Sequence, residues 1–256
     1  MAELKIERDR YGRPLVVPPK GRKPVAYTRA TTIANSLDDP AALVAWKMRM
    51  AAIGLTMRSD LLLSISAAQD DKMAVNGYVE EAMEVAGAKT QANIGTAIHA
   101  LTEKLDLGQE LGPIPEQWAG DIDAYAKATE KLNKKRIEQF CVLDKFKIAG
   151  TPDRLVEYKG ELFIADIKTG RIDHPNNIAM QLAIYAHGLP YDIDTASRSS
   201  WGDVNLQKAI IIHLPAGQGL CKLHFIDIEE GWRGVQFAMK VRKWRDKKSL
   251  TTPFTE

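Results

Sequence analysis

The sequence predicts an α/β fold, a central sheet flanked by helices, with a largely helical elaboration on its N-terminal side. Three observations carry this reading. From Asp39 to about Lys135 the chain is rich in Ala, Leu, Met, Glu and Lys, the strong helix formers. At Arg136 the texture changes to short β-branched and aromatic runs separated by turn residues. One helical stretch, Asn177–His187, falls between those runs, and strands that flank a helix mark an α/β arrangement.

Taken in order, residues 1–30 are basic and Pro-rich (GRPLVVPPKGRKPVAY) and read as extended or looped. Two helix starts are offered next, at Thr31 and at Asp39-Pro40, where Asp suits a cap and Pro the first helical position. The loop GQELGPIPEQW precedes a helix expected from about Pro115 to Lys134. Strands follow at Gln139–Leu143, Phe146–Ala149, Arg154–Tyr158 and Glu161–Asp166, the last two separated by the turn Lys159-Gly160. After the helix at Asn177–His187 come strands at Lys208–His213 and Lys222–Ile228 and a closing helix at Trp232–Lys247. The chain of 256 residues reads as a single domain: an extended segment (1–30), the helical elaboration (31–135), an α/β core (136–230) and a basic C-terminal helix and tail (231–256).

Bulk composition narrows the function classes. With 45% hydrophobic and 27% charged residues the chain is of the soluble globular type. MAELKIERDR has no apolar core of a signal peptide, and no apolar run approaches the ~18 residues of a membrane span. Cys141 and Cys221 are too few for a four-cysteine zinc or iron–sulfur site, so the expected location is the reducing cytoplasm. The formal net charge of +2 hides an uneven distribution. Cations crowd the first thirty residues, and Arg233, Lys240, Arg242, Lys243, Arg245, Lys247 and Lys248 crowd the last twenty-five, a pattern compatible with a polyanionic partner.

The chemistry concentrates in Gly150-Thr-Pro-Asp153 and Ala165-Asp-Ile-Lys168. Asp166 ends the apolar run Leu162–Ala165, and a buried carboxylate is costly unless paired or bound to a cation. Side chains alternate along a strand, so Asp166 and Lys168 share one face while Ile167 points to the other, into the core. A hairpin about Lys159-Gly160 brings Asp153 opposite Asp166 near its open end. Two adjacent carboxylates repel unless a cation lies between them, and hard oxygen ligands favour Mg²⁺ or Mn²⁺.

These residues resemble the PD-(D/E)xK nuclease superfamily in its RecB-like, phage-type exonuclease branch. Two further motifs carry the resemblance: Ile94-Gly-Thr-Ala-Ile-His99 is similar to the branch's helical Gly-x-x-x-His, and Gln181-Leu-Ala-Ile-Tyr185 to its Gln-x-x-x-Tyr. All four elements stand in the family's order over roughly residues 90 to 190, and Thr31…Trp46 resembles, more weakly, the entry segment of phage-encoded members. The resemblance implies a restriction-endonuclease-like core. It also implies metal ligation by His99, Asp153, Asp166 and the backbone carbonyl of Ile167, with Glu138 supporting a second ion. Lys168 would then assist attack on the phosphodiester, and Gln181 and Tyr185, an i, i+4 pair, would contact the DNA backbone or the site's edge.

Other features read more plainly. Glu103, one turn beyond His99, is placed either to accept its second ring N–H or to make an exposed salt bridge. His174, His187, His213 and His224 fit no metal spacing, and at least three of the five tryptophans read as core. Pro215-Ala-Gly-Gln-Gly219 lacks the ending of a Walker loop and reads as a hairpin turn. Only two cysteines depart from the iron–sulfur members of the branch, so the resemblance implies a cluster-free enzyme. The expected function is a Mg²⁺- or Mn²⁺-dependent exonuclease on DNA ends, single- or double-stranded, in phage-type recombination, replication or DNA turnover. A single-strand annealing protein is a candidate partner and a homo-oligomer a candidate assembly. The alternatives are an endonuclease or flap nuclease with the same site, and a non-catalytic DNA-binding protein of the same fold.

Overall fold

The computed structural model describes residues 6–173 and 175–254. In chain order the elements are β1 (Leu15–Val16), β2 (Val25–Ala26), β3 (Thr28–Arg29), α1 (Ala30–Ala34), α2 (Ala41–Met57), α3 (Ser59–Ala67), α4 (Lys72–Val85), α5 (Thr90–Asp106) and α6 (Glu116–Thr129). They continue with β4 (Asn133–Ile137), β5 (Cys141–Leu143), β6 (Ile148–Gly150), β7 (Arg154–Tyr158), β8 (Glu161–Lys168), α7 (Asn176–His187), β9 (Leu189–Pro190), β10 (Lys208–His213), β11 (Lys222–Asp227) and α8 (Ile228–Arg245). The chain divides into two compact units, Asp38–Ala100 and the remainder, Met1–Leu37 with Leu101–Glu256.

The Asp38–Ala100 unit is helical. Of the two expected helix starts, the first is used in the other unit, where α1 begins at Ala30, and the second here, where α2 begins at Ala41 and its N–H donates to Asp39 at 2.9 Å. Asp71 caps α4 by accepting from the N–H groups of Met73 and Ala74. Gly54 of α2 meets α4 backbone to backbone: a Cβ there would fall 1.8 Å from the Ala82 oxygen. Leu43, Val44, Met48, Ile53, Met57 and Leu63 leave this unit with a broadly apolar exterior. No single helix among the described residues is long and apolar enough to cross a membrane; α2 and α3 pass that test only as a pair bent by 106°.

The larger unit is α/β. Its main sheet has the order β11-β10-β8-β7-β4 and is mixed: β8 and β10 run parallel, the other neighbours antiparallel. A second sheet has the order β3-β6-β5-β9, and β1 pairs with β2. β8 is buried from Phe163 to Ile167, as suits a strand covered on both faces. The core joins Leu155, Ile164 and Ile211 of the sheet to Leu182, Ile184 and Tyr185 of α7 and Val235 and Ala238 of α8.

The structure departs from expectation in four places. The 1–30 segment carries three short strands rather than a plain loop. The helix expected to reach Lys134 ends at Thr129, and Asn133–Ile137 forms an edge strand. Its lysines suit an edge, where charge discourages pairing with another chain. β9 supplies a two-residue strand where none was expected. Finally α8 begins at Ile228 rather than Trp232, because Asp227 accepts from the Glu230 N–H at 2.9 Å and caps it. Its glycines are packing residues rather than breakers: a Cβ on Gly231 would fall 2.3 Å from the Ala179 oxygen of α7.

The turn expected at Pro215–Gly219 does link β10 to β11. It is clamped by the fully buried carboxylate of Asp121 on α6, which accepts from the N–H groups of Gly217 and Gly219 at 2.6 and 2.7 Å. It also lies against the end of β8, where the Leu214 N–H donates to the Lys168 carbonyl at 2.9 Å.

Candidate metal centre

The site is set by strand register. β7 and β8 pair antiparallel with Arg154 opposite Ala165, joined at Lys159-Gly160, where both residues have positive φ (52° and 83°) as a tight hairpin requires. One step beyond Arg154 the same register brings Asp153 opposite Asp166, as the sequence predicts. On the other edge of β7 the register with β4 shifts between Lys134 and Arg136, so that Ile137 faces Arg154. Glu138 is therefore carried opposite Asp153, and its N–H donates to the Asp153 carbonyl at 3.0 Å. Three acidic residues thus stand side by side at the ends of three neighbouring strands.

Each carboxylate has its own circumstance. Asp153 is 8% exposed, and its Oδ2 accepts the Ile167 N–H at 2.6 Å. A strand residue's N–H and C=O share an edge, so the Ile167 carbonyl faces the Asp153 side while its side chain is buried in the core. Asp166 is 2% exposed and meets the Lys168 ammonium at 2.6 Å. Glu138 has φ of 48°, a left-handed conformation that costs a non-glycine residue roughly 1–2 kcal/mol. Glu138 and Asp153 offer carboxylate oxygens within 4.8 Å of each other.

α7 braces the Asp166 side. Gln181 donates to Asp166 at 3.4 Å and to the Tyr185 hydroxyl at 3.1 Å, and it accepts from Lys168 at 3.3 Å. The i, i+4 pair read from the sequence therefore works as a chain, Tyr185 to Gln181 to the Asp166–Lys168 pair. Burial, together with the nearby Asp166 charge, pushes the Tyr185 phenol well above its ordinary pKa, so it stays a neutral hydroxyl. Gly150 makes room for it: a Cβ there would lie 2.7 Å from the Tyr185 ring.

Sequence reasoning missed the support beneath Asp153. Arg154 is 1% exposed. It donates to Asp106 at 2.6 Å, to the Asp153 carbonyl at 2.7 Å and to Glu138 at 3.3 Å. Asp106, at the end of α5, also accepts the Tyr125 hydroxyl and pairs with Lys134 at 3.2 Å. Burial alone would lower the Arg154 pKa, but Tyr125 and Asp106 reverse the shift and hold the guanidinium charged. The one clue in the sequence is an arginine directly before the apolar pair Leu155-Val156, where an exposed cation has no place.

Two clefts border the strand ends. One of about 740 Å³ is lined by Arg8, Glu103, Arg136, Glu138, Thr151 and Ser199 among others. The other, about 590 Å³, is lined by Thr31, Asn35, Lys168, Arg171, Asn177 and Gln181 among others. His99 lies on α5, half-buried, seven residues before Asp106. Of the remaining histidines, His187 stacks on Trp232 with centroids 3.9 Å apart, and His213 and His224 sit on the paired strands β10 and β11. His174 lies outside the described residues. Trp201 is buried and Trp118 and Trp232 half-buried, whereas Trp46 and Trp244 are exposed.

No protein-family model matches this chain, and no curated protein matches it in sequence.

Proposed function

We propose that the chain is a divalent-metal-dependent deoxyribonuclease of the RecB-like PD-(D/E)xK type, acting on DNA ends. The observation that carries this reading is the registered row Glu138, Asp153 and Asp166 on adjoining strands, with the Lys168 ammonium fixed to the last of them. Carboxylates gathered this closely repel one another, and such clusters mark functional sites.

The donor set fits Mg²⁺ or Mn²⁺. Glu138, Asp153 and Asp166 supply hard oxygens and the Ile167 carbonyl another, and the resemblance adds the imidazole of His99 as a nitrogen ligand. When bound, such an ion would neutralise phosphate charge and stabilise the departing oxygen. In the reaction a water attacks the phosphodiester in line with the leaving oxygen. Lys168, 27% exposed at its side chain, reaches the cleft and steadies the negative charge that develops. Gln181 holds Lys168 and Asp166 in one orientation, and Tyr185 holds Gln181.

The test is a digest of 5′- and 3′-labelled linear duplex beside closed circular DNA, with Mg²⁺ or Mn²⁺. Shortening of the linear substrate with the circle intact is the expected result. Cutting of the circle would make the enzyme an endonuclease, and absence of products with either metal would overturn the reading.

A further inference from the structure

The two faces of α8 are unlike each other, and the outer one is not accounted for by packing or by the catalytic reading. The inner face, with Ile228, Gly231, Val235 and Ala238, is buried. Outward, Arg233, Phe237, Lys240 and Trp244 follow at spacings of four, three and four residues and form one stripe along the helix. Phe237 is 58% and Trp244 61% exposed. The Lys240 ammonium lies over the Phe237 ring, 5.6 Å from its centroid. Arg233 is neutralised by Glu229 and Glu230. Among the described residues no carboxylate pairs with Lys240, Arg242, Lys243, Arg245, Lys247 or Lys248.

Cations in the last turn suit the helix dipole, but the dipole gives no reason to hold two large aromatic rings in water between them. A lipid surface takes a helix by its apolar face, and here that face is already covered, while Lys240 interrupts the outer stripe. Alternating cations and open ring faces match what a single nucleic-acid strand presents, phosphates and unstacked bases; a duplex hides its base faces. Phe237 and Trp244 are seven residues apart, about 10 Å along the axis, of the order of three nucleotide steps.

We propose that the outer stripe of α8 is a docking surface for single-stranded DNA, with Phe237 and Trp244 as stacking platforms and Lys240 and the flanking Lys243 as phosphate contacts. The choice of DNA rests on the nuclease reading; the surface chemistry asks for a single strand of nucleic acid. The full chain is titrated into fluorescein-labelled dT20 in EDTA, so that binding is read without cleavage, and into a hairpin duplex and phosphatidylserine vesicles. Wild type is expected to bind dT20 with quenching of tryptophan fluorescence. The Phe237→Ala/Trp244→Ala double variant should bind dT20 at least tenfold more weakly, with a much smaller change on the duplex. Lys240→Gln/Lys243→Gln should weaken binding and flatten its salt dependence. All four side chains are exposed, and circular dichroism verifies that the fold is kept.

Affinity for dT20 unchanged within about twofold in both variants overturns the proposal. So does an equal loss on the duplex, or a loss seen on vesicles but not on dT20. Hydrolysis of bis(p-nitrophenyl) phosphate with Mn²⁺ separates the two readings. Variants that hydrolyse it like wild type but bind dT20 poorly support the docking surface. A wild type that binds through α8 yet hydrolyses neither the diester nor DNA would sink the nuclease reading alone.

Discussion

β4, β7 and β8 carry charge at both of their ends, and the two ends put it to different uses. At the turn end Glu157 pairs with Lys135 at 2.6 Å and accepts from Asn133 at 3.3 Å, all of them in contact with solvent. At the open end Glu138, Asp153, Asp166 and Arg154 stand at the same strands' other termini with most of their surface removed from water. Residue types and strand spacing are alike; hydration is not. Water screens the first group until its geometry hardly matters, whereas the second must satisfy every charge from within. Lys135 holds the Glu157 carboxyl below its ordinary pKa, yet that shift belongs to an exposed pair and signifies little for stability.

The contrast can be broken by substitution. Asp166→Ala should have the largest effect: cleavage of labelled linear DNA falling by at least ~10³-fold, with the far-ultraviolet spectrum unchanged. Activity within tenfold of wild type would remove the catalytic reading of the open end. Arg154→Met should lower the unfolding free energy by about 3–5 kcal/mol, because Asp106 is left buried without its main partner. Urea denaturation measures this, and Glu157→Ala in the same assay should leave the midpoint where it was.

A smaller effect sharpens the same comparison. Glu138→Gly and Glu138→Ala both lose the carboxylate, but only Gly accepts a φ of 48° without strain. The Gly variant should be the more stable by about 1 kcal/mol, while both lose Mn²⁺ affinity in calorimetry. Equal stability of the two would mean the strain is not there. The least effect should come from His187, whose pKa burial lowers from the ordinary 6.5. The unfolded chain takes up that proton before the folded one does. His187 should therefore contribute stability fully above about pH 6.5 and lose it as pH falls toward its folded value. His187→Phe should flatten that part of the stability–pH curve, measured by the unfolding midpoint.

What the sequence made legible follows from the range of the forces involved. β7, β8, β10 and β11 were readable because short apolar runs between turn residues report local geometry. Asp153, Asp166 and Lys168 could be placed by the two-residue period, and Gln181 with Tyr185 by the helical one. β4 was not readable, since an edge strand of Asn, Lys and Arg has the composition of a loop. Nor was the start of α8, where Gly231 and Gly234 look like breakers until α7 lies against them. Arg154 is the plainest omission. Its partner Asp106 is 48 residues away in sequence, and only tertiary packing turns an ordinary cation into the anchor of the row.

The extra residue in β4 makes the chemistry of this corner a matter of counting. Were the chain one residue longer between Arg136 and Ile137, with the pairing before it kept, Ile137 would stand opposite Asp153 and Glu138 would be displaced from that place. The sheet would lose almost nothing in area, yet an aliphatic group would stand where an acid now does. Insertion of a single codon between Arg136 and Ile137 is therefore expected to weaken Mn²⁺ binding while leaving the molecule folded, whereas deletion of Lys135 keeps Glu138 in its place.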